Sequence, residues 1–352
     1  MKKRVTNHPI DILLSPFNKF VKSQSAGGIL LFAATIVALI WANSPFAQNY
    51  TDLWSYKIGI STDSFELVKP LSLWVNDGLM AVFFFMIGLE IKRELLIGEL
   101  DDLKKASLPI FAAIGGMILP VCLFLILNQQ EDTVHGWGIP MATDIAFSLA
   151  ILKLLGKRIP LGLKVFLTAF AIIDDLGAVI VIALFYSEGI HWNLLLIASI
   201  PIVLLFLLAH KGIFNKYLHL TLGVGVWLLF LKSGVHPTIA GVLLALSIPV
   251  RQKLHLSKFN TKLAYHLEGL KESKRDKSPL LSRKQMAHVN AIDGLTEKVY
   301  SPLQHLEEKL HSWVAFFIMP IFALANAGVA FGIDMHLDWP LVIHISIALI
   351  LG

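Results

Sequence analysis

The chain has 352 residues, of which 55% are hydrophobic and only 16% charged, and its formal net charge is +5. The apolar residues fall in blocks long enough to cross a hydrocarbon core of about 30 Å, which marks a polytopic α-helical membrane protein and excludes a soluble domain. The positive balance needs no nucleic-acid partner, because where the basic residues stand matters more than their sum. The single cysteine, Cys122, has no partner in the chain for a disulfide.

Residues 1–26 open with Lys2, Lys3 and Arg4, but no cleavable signal follows. Ile10, Ile12, Leu13, Leu14, Phe17, Phe20 and Val21 alternate with Asp11, Asn18, Lys19 and Lys22, a pattern that predicts a retained amphipathic helix at the membrane interface. Apolar blocks then run at 27–44, 70–91, 107–127, 136–155, 161–186, 193–209, 217–231, 235–250, 312–332 and 340–352. That is about nine complete spans and half of a tenth. The blocks at 217–231 and 235–250 are short and separated only by Lys232, Ser233 and Gly234, which predicts a tight helical hairpin.

The connections alternate in charge. One set holds Lys2, Lys3, Arg4, Lys19 and Lys22, then Lys92, Arg93, Lys104 and Lys105, then Lys153, Lys157, Arg158 and Lys164, then Lys211 and Lys216, then the dense basic run in 251–309. The other set holds only Lys57, Lys69 and Lys232. The positive-inside rule places the first set, and the N-terminus, in the cytoplasm. The expected organisation is therefore a cytoplasmic N-terminus with its interfacial helix (1–26), spans 1 to 8 (27–250), a cytoplasmic loop (251–311), and span 9 with a truncated span 10 (312–352). The last block ends in mid-membrane, so the chain reads as cut short at its C-terminus.

The chemistry concentrates in 141–178. Asp144 lies in MATDIAFSLAIL, and the vicinal pair Asp174 and Asp175 lies in LTAFAIIDDLGAVIVIALF, each among residues apolar enough for a membrane. An acid there is costly and marks an ion or proton pathway unless it pairs with a basic group. Neighbours on a helix point about 100° apart, so both carboxylates can border one cavity. Burial beside a second carboxylate favours the protonated form, and Na⁺ seeks oxygen ligands, so proton and cation compete for one site. Pro140 breaks or kinks the fourth block, and an acid beside that break either balances a helix end or helps ligate the ion.

Two charged groups stand nearer the surface. Asp77 opens the second block, while Glu90, Arg93 and Glu94 close it, with Glu90 and Glu94 on one face. Glu307, Glu308 and His311 precede the ninth. Each group reads either as an interfacial helix end or as part of an ion entrance. Gly115, Gly116, Gly223, Gly225, Gly241 and Gly328 suit close helix approach. The chain contains no phosphate loop, Cys/His metal spacing or nucleophile motif, so neither an enzyme nor an ATP-driven pump is expected, and no cofactor.

The blocks NDGLMAVFFFMIGLEIKREL, GIPMATDIAFSLAILKLLGKRIPLGLKVFLTAFAIIDDLGAVIVIALFY, SGVHPTIAGV and LHSWVAFFIMPIFALANAG resemble those of the NhaA-type bacterial Na⁺/H⁺ antiporters. The resemblance covers most of the chain from the second span onward. It implies an all-α, inverted-repeat transporter fold with discontinuous helices, in which Asp174 and Asp175 bind the transported Na⁺ or Li⁺ and protons. It further implies that Thr143 and Asp144 sit at the break of the fourth span, that Glu90, Arg93, Glu94, Glu307 and His311 belong to a cytoplasmic entrance that governs pH activation, and that Asp77 is a further membrane-embedded acid.

Electrogenic exchange, a multi-pass location in the bacterial inner membrane and a homodimer surrounded by lipid follow from the same resemblance. Gln304 and Glu308 depart from it, standing where better-known members carry basic or histidine residues. The family's span 10 lysine and spans 11 and 12 fall beyond Gly352. Two other readings of the acids stay open: a sodium-coupled symporter of an organic solute, or a non-transporting protein in which the acids merely pair between helices.

Overall fold

Apolar blocks of the sequence fold as helices wherever the computed structural model describes them, namely over residues 26–63, 65–98, 100–129, 131–141, 158–186, 189–252, 254–272, 280–331 and 338–352. In chain order these are α1 (Ala26–Ala42), α2 (Ala47–Ser55), a β-hairpin of β1 (Lys57–Thr62) and β2 (Phe65–Pro70), α3 (Leu71–Leu96), α4 (Leu103–Leu127) and α5 (Leu161–Phe185). A 3₁₀ segment, His135–Met141, lies between α4 and α5. There follow α6 (Trp192–His210), α7 (Lys216–Ser233), α8 (Thr238–Leu246), α9 (Leu256–Glu272), α10 (Arg283–Val299), α11 (Pro302–Asn326) and α12 (Trp339–Leu351). The expected interfacial helix before residue 26, and Thr143 and Asp144, lie outside the described residues.

Among the described helices, α3, α6, α11 and residues Ala106–Leu127 of α4 are long and apolar enough to cross a membrane. Their outward faces are apolar as well: Phe111 is 74% exposed, Leu196 69% and Ile200 66%. Such side chains are at home in hydrocarbon, where helices satisfy their own backbone hydrogen bonds. Helix α2 turns away from α1 by 113°. Helices α7 and α8 form the expected hairpin, with Gly234 in the left-handed conformation (φ 85°) that a side chain would resist. Helix α8 is shorter than its apolar block because Pro237 fixes its start.

The expectation of an all-α chain is corrected between the first two spans. KIGIST and FELVKP pair as an antiparallel hairpin in register from Thr62↔Phe65 to Lys57↔Pro70. Alternating Ile58 and Ile60 in a segment too polar and too short to span a membrane favours a strand. The hairpin is tied to α3 by Leu71 N–H donating to the Tyr56 carbonyl (2.9 Å) and Trp74 Nε1 donating to the Ile58 carbonyl (2.8 Å).

The largest buried cluster joins Met86, Ile87 and Ile91 of α3 to Ala106 of α4, Ala169 and Ile172 of α5, and Val314 and Ile318 of α11. Helix α5 is thereby seated against α4 and α3, in one cluster with α11. Both partners contain a π-turn, Val75–Leu79 in α3 and Val314–Ile318 in α11, and such turns insert a residue that re-aims the side chains around it. Helices α3 and α8 touch backbone to backbone, because a Cβ on Gly241 would lie 2.2 Å from the Ala81 carbonyl oxygen. Close approach is thus confirmed at Gly241, whereas a Cβ on Gly115 or Gly225 would meet no heavy atom within 4 Å.

Candidate functional site

Helix α5 runs unbroken through the acidic pair, since the leucines, isoleucines and alanines around Asp174 and Asp175 include no proline. By helical rise, the pair sits about 20 Å along the axis from Leu161, near the middle of the span. The two carboxylates are not equivalent. Asp174 is 4% exposed, whereas Asp175, a helical step away, is only half-buried. The two residues just before the pair, Ile172 and Ile173, belong to the packing between α5 and α3. A buried carboxylate with a second, less buried one beside it is an arrangement that can take up either a proton or a small hard cation.

The charged residues at the far end of α3 lie together with Glu307 of α11. Arg93 pairs with Glu94 through its Nη2 at 2.8 Å and with Glu307 of α11 through its Nε at 3.1 Å. Glu94 is 7% exposed, and Glu90 feels the charges of Glu307, Arg93 and Glu94. The guanidinium therefore sits among three carboxylates on two helices, a role its planar fork suits. His311 stands one turn beyond Glu307 on α11, but its side chain is exposed and no ion pair joins it to this cluster among the described residues. Gln304 and Glu308 also face outward.

Asp77 lies at the opposite end of α3, in the π-turn. Its carboxylate pairs with Lys69 of β2 at 2.8 Å, and its backbone carbonyl accepts a hydrogen bond from Trp227 Nε1 of α7 at 2.8 Å. Next to it, Asn76 and Asn326 of α11 exchange amide hydrogen bonds of 3.1 and 2.8 Å.

Sequence reasoning missed several positioning groups. Lys92 reaches across to α8, donating to the carbonyls of Leu246 (2.7 Å) and Ile248 (2.5 Å), so an ammonium meets the negative end of a helix. Tyr186, just past α5, donates its hydroxyl to the His135 carbonyl (3.0 Å) and accepts from Gly138 N–H (3.0 Å), gripping the 3₁₀ segment that leads toward Thr143 and Asp144. Lys69 gave a usable signal, as one of only three basic residues in its set of connections. Tyr186 and Lys92 gave none, since their partners are backbone atoms distant in sequence.

A multi-pass helical bundle with a carboxylate pair at the centre of one span and ion-paired clusters at both ends of another defines a membrane ion transporter. Comparison with known proteins gives the family. Residues 18–352 match the family described as Na⁺/H⁺ antiporter 1, and the chain belongs to it. The chain is 48% identical to the Na(+)/H(+) antiporter NhaA of Oleidesulfovibrio alaskensis, over 98% of this chain and 77% of that protein. It is 43% identical to the Na(+)/H(+) antiporter NhaA of Koribacter versatilis over 98% and 75% of the two chains. For the Na(+)/H(+) antiporter NhaA of Parabacteroides distasonis the identity is 45% over 92% and 73%.

Proposed function

We propose that this protein exports Na⁺ or Li⁺ across the bacterial inner membrane in exchange for protons, electrogenically and under pH control. Asp174 and Asp175 are the site at which cation and protons compete. The observation that carries this reading is the unequal burial of the two carboxylates in mid-helix, in a chain that belongs to an antiporter family. In this reading the buried acid and its half-buried neighbour offer carboxylate oxygens that either a cation or protons occupy.

In this reading Thr143 and Asp144 complete the site at the break of the fourth span, within an inverted-repeat arrangement of nine spans and part of a tenth. Glu90, Arg93, Glu94, Glu307 and His311 form the cytoplasmic approach, Asp77 is an acid of the opposite side, and both the N-terminus and 251–311 are cytoplasmic. The family resemblance and the alternation of Lys and Arg support this placement. A homodimer is part of the same proposal. Its support is the outer edge of β1, whose six residues are all exposed and which has no second strand beside it among the described residues.

The test is Na⁺-induced proton movement in inverted membrane vesicles. Asp174→Asn and Asp175→Asn each abolish it while the protein remains inserted at its normal level. Retained exchange in both variants overturns the reading.

A further inference from the structure

The set of connections poor in positive charge contains only three basic residues, Lys57, Lys69 and Lys232. Two of them hold partners within the described structure. Lys232 donates to the Glu66 carbonyl of β2 and so fastens the hairpin to α7. Lys69, the penultimate residue of β2, holds Asp77 at 2.8 Å. Asp77 lies six residues into α3, about 9 Å of helical rise from its start, and the Lys69 ammonium reaches it. A lysine at a membrane rim ordinarily extends the other way, toward solvent. The two side chains are 26% and 18% exposed, so the pair is partly enclosed. The π-turn at Val75–Leu79 and the Trp227 bond to the Asp77 carbonyl set the direction in which the carboxylate points.

We propose that Lys69 is a tethered counter-cation on Asp77 that keeps the outer passage from holding the exported ion. Its ammonium occupies the carboxylate that Na⁺ would otherwise bind on leaving, so Na⁺ is released outward and rebinds poorly from that side. Lys69 is a positioning residue in this scheme: it acts through Asp77 and not on the acids of α5. The proposal rests on the orientation given above, in which the hairpin end of α3 faces outward.

The experiment compares the KM for Na⁺ on each face of the membrane, using radiolabelled Na⁺ exchange in right-side-out and inverted vesicles. Removing a unit charge in contact with Asp77 changes the local cation affinity by about fivefold or more. Lys69→Gln therefore lowers the outer-face KM by about that factor and changes the inner-face KM less, while Lys69→Arg stays near the parent. Asp77→Asn, which leaves the ammonium alone in the passage, raises the outer-face KM, and adding Lys69→Gln to it brings the value back. The double variant carries no uncompensated charge, so this second comparison holds even where Lys69→Gln alone inserts poorly. An unchanged KM on both faces, or no return of the outer-face KM when Lys69→Gln is added to Asp77→Asn, overturns the proposal and leaves the orientation standing. A change confined to the inner face overturns both.

Discussion

Asn76 and Asn326 exchange two amide hydrogen bonds, of 3.1 and 2.8 Å, across the interface between α3 and α11. At the opposite ends of the same two helices Arg93 pairs with Glu307 at 3.1 Å. The two helices are thus joined at both ends by polar contacts and between them by Met86, Ile87, Ile91, Val314 and Ile318. Ala169 and Ile172 of α5 belong to the same cluster.

The amide exchange is reciprocal, so either asparagine alone loses both bonds. Asn76→Ala and Asn326→Ala each lower the thermal stability of the purified protein by about 1–2 kcal/mol. The double variant costs little more than either single one. Strict additivity in that cycle contradicts the pairing.

Arg93 neutralises Glu94, which is 7% exposed, and Glu307 together. Arg93→Gln leaves a nearly buried carboxylate without its cation and costs about 2–3 kcal/mol. Arg93→Lys recovers part of this, because an ammonium cannot serve two carboxylates with a planar fork. Denaturation in detergent across the three proteins measures the order, which is parent, Lys, Gln.

Backbone contact between α3 and α8 makes Gly241 intolerant of any side chain. Gly241→Ala forces the Cβ to within 2.2 Å of the Ala81 carbonyl oxygen and destabilises the protein by about 2 kcal/mol or more. Gly115→Ala, in open space, leaves stability within about 0.5 kcal/mol of the parent. Equal melting temperatures for the two variants would contradict the packing described.

Tyr186→Phe removes both hydrogen bonds that hold the 3₁₀ segment His135–Met141 to the end of α5. Amide hydrogen exchange at Gly138 accelerates in the variant, and the amides of α6 are unaffected. Unchanged exchange at Gly138 shows that the segment is held by other contacts.

Much of this protein could be read from the chain alone, and the reason is the bilayer. A hydrocarbon solvent demands long apolar helices, so the blocks at 107–127, 161–186 and 193–209 reappear almost residue for residue as α4, α5 and α6. The same demand makes any carboxylate within those blocks conspicuous, which is how Asp174 and Asp175 stood out. The hairpin at Lys57–Pro70 escaped because it lies outside the hydrocarbon rule, where two six-residue strands leave only a faint alternation.

Pairing was beyond the sequence. Whether Asp77 faced a cation, whether Arg93 would choose Glu94 and Glu307, and whether His311 would join them depend on distances between helices far apart in the chain. Composition along one strand of sequence carries no record of those distances. The sequence by itself determined which residues must enter the membrane and which of them are too polar to be there without a purpose. Only the tertiary structure decided that Asp174 is buried while Asp175 is not, and that Lys69 turns inward to Asp77, because burial and partnership are set by the packing of α3, α5, α7 and α11.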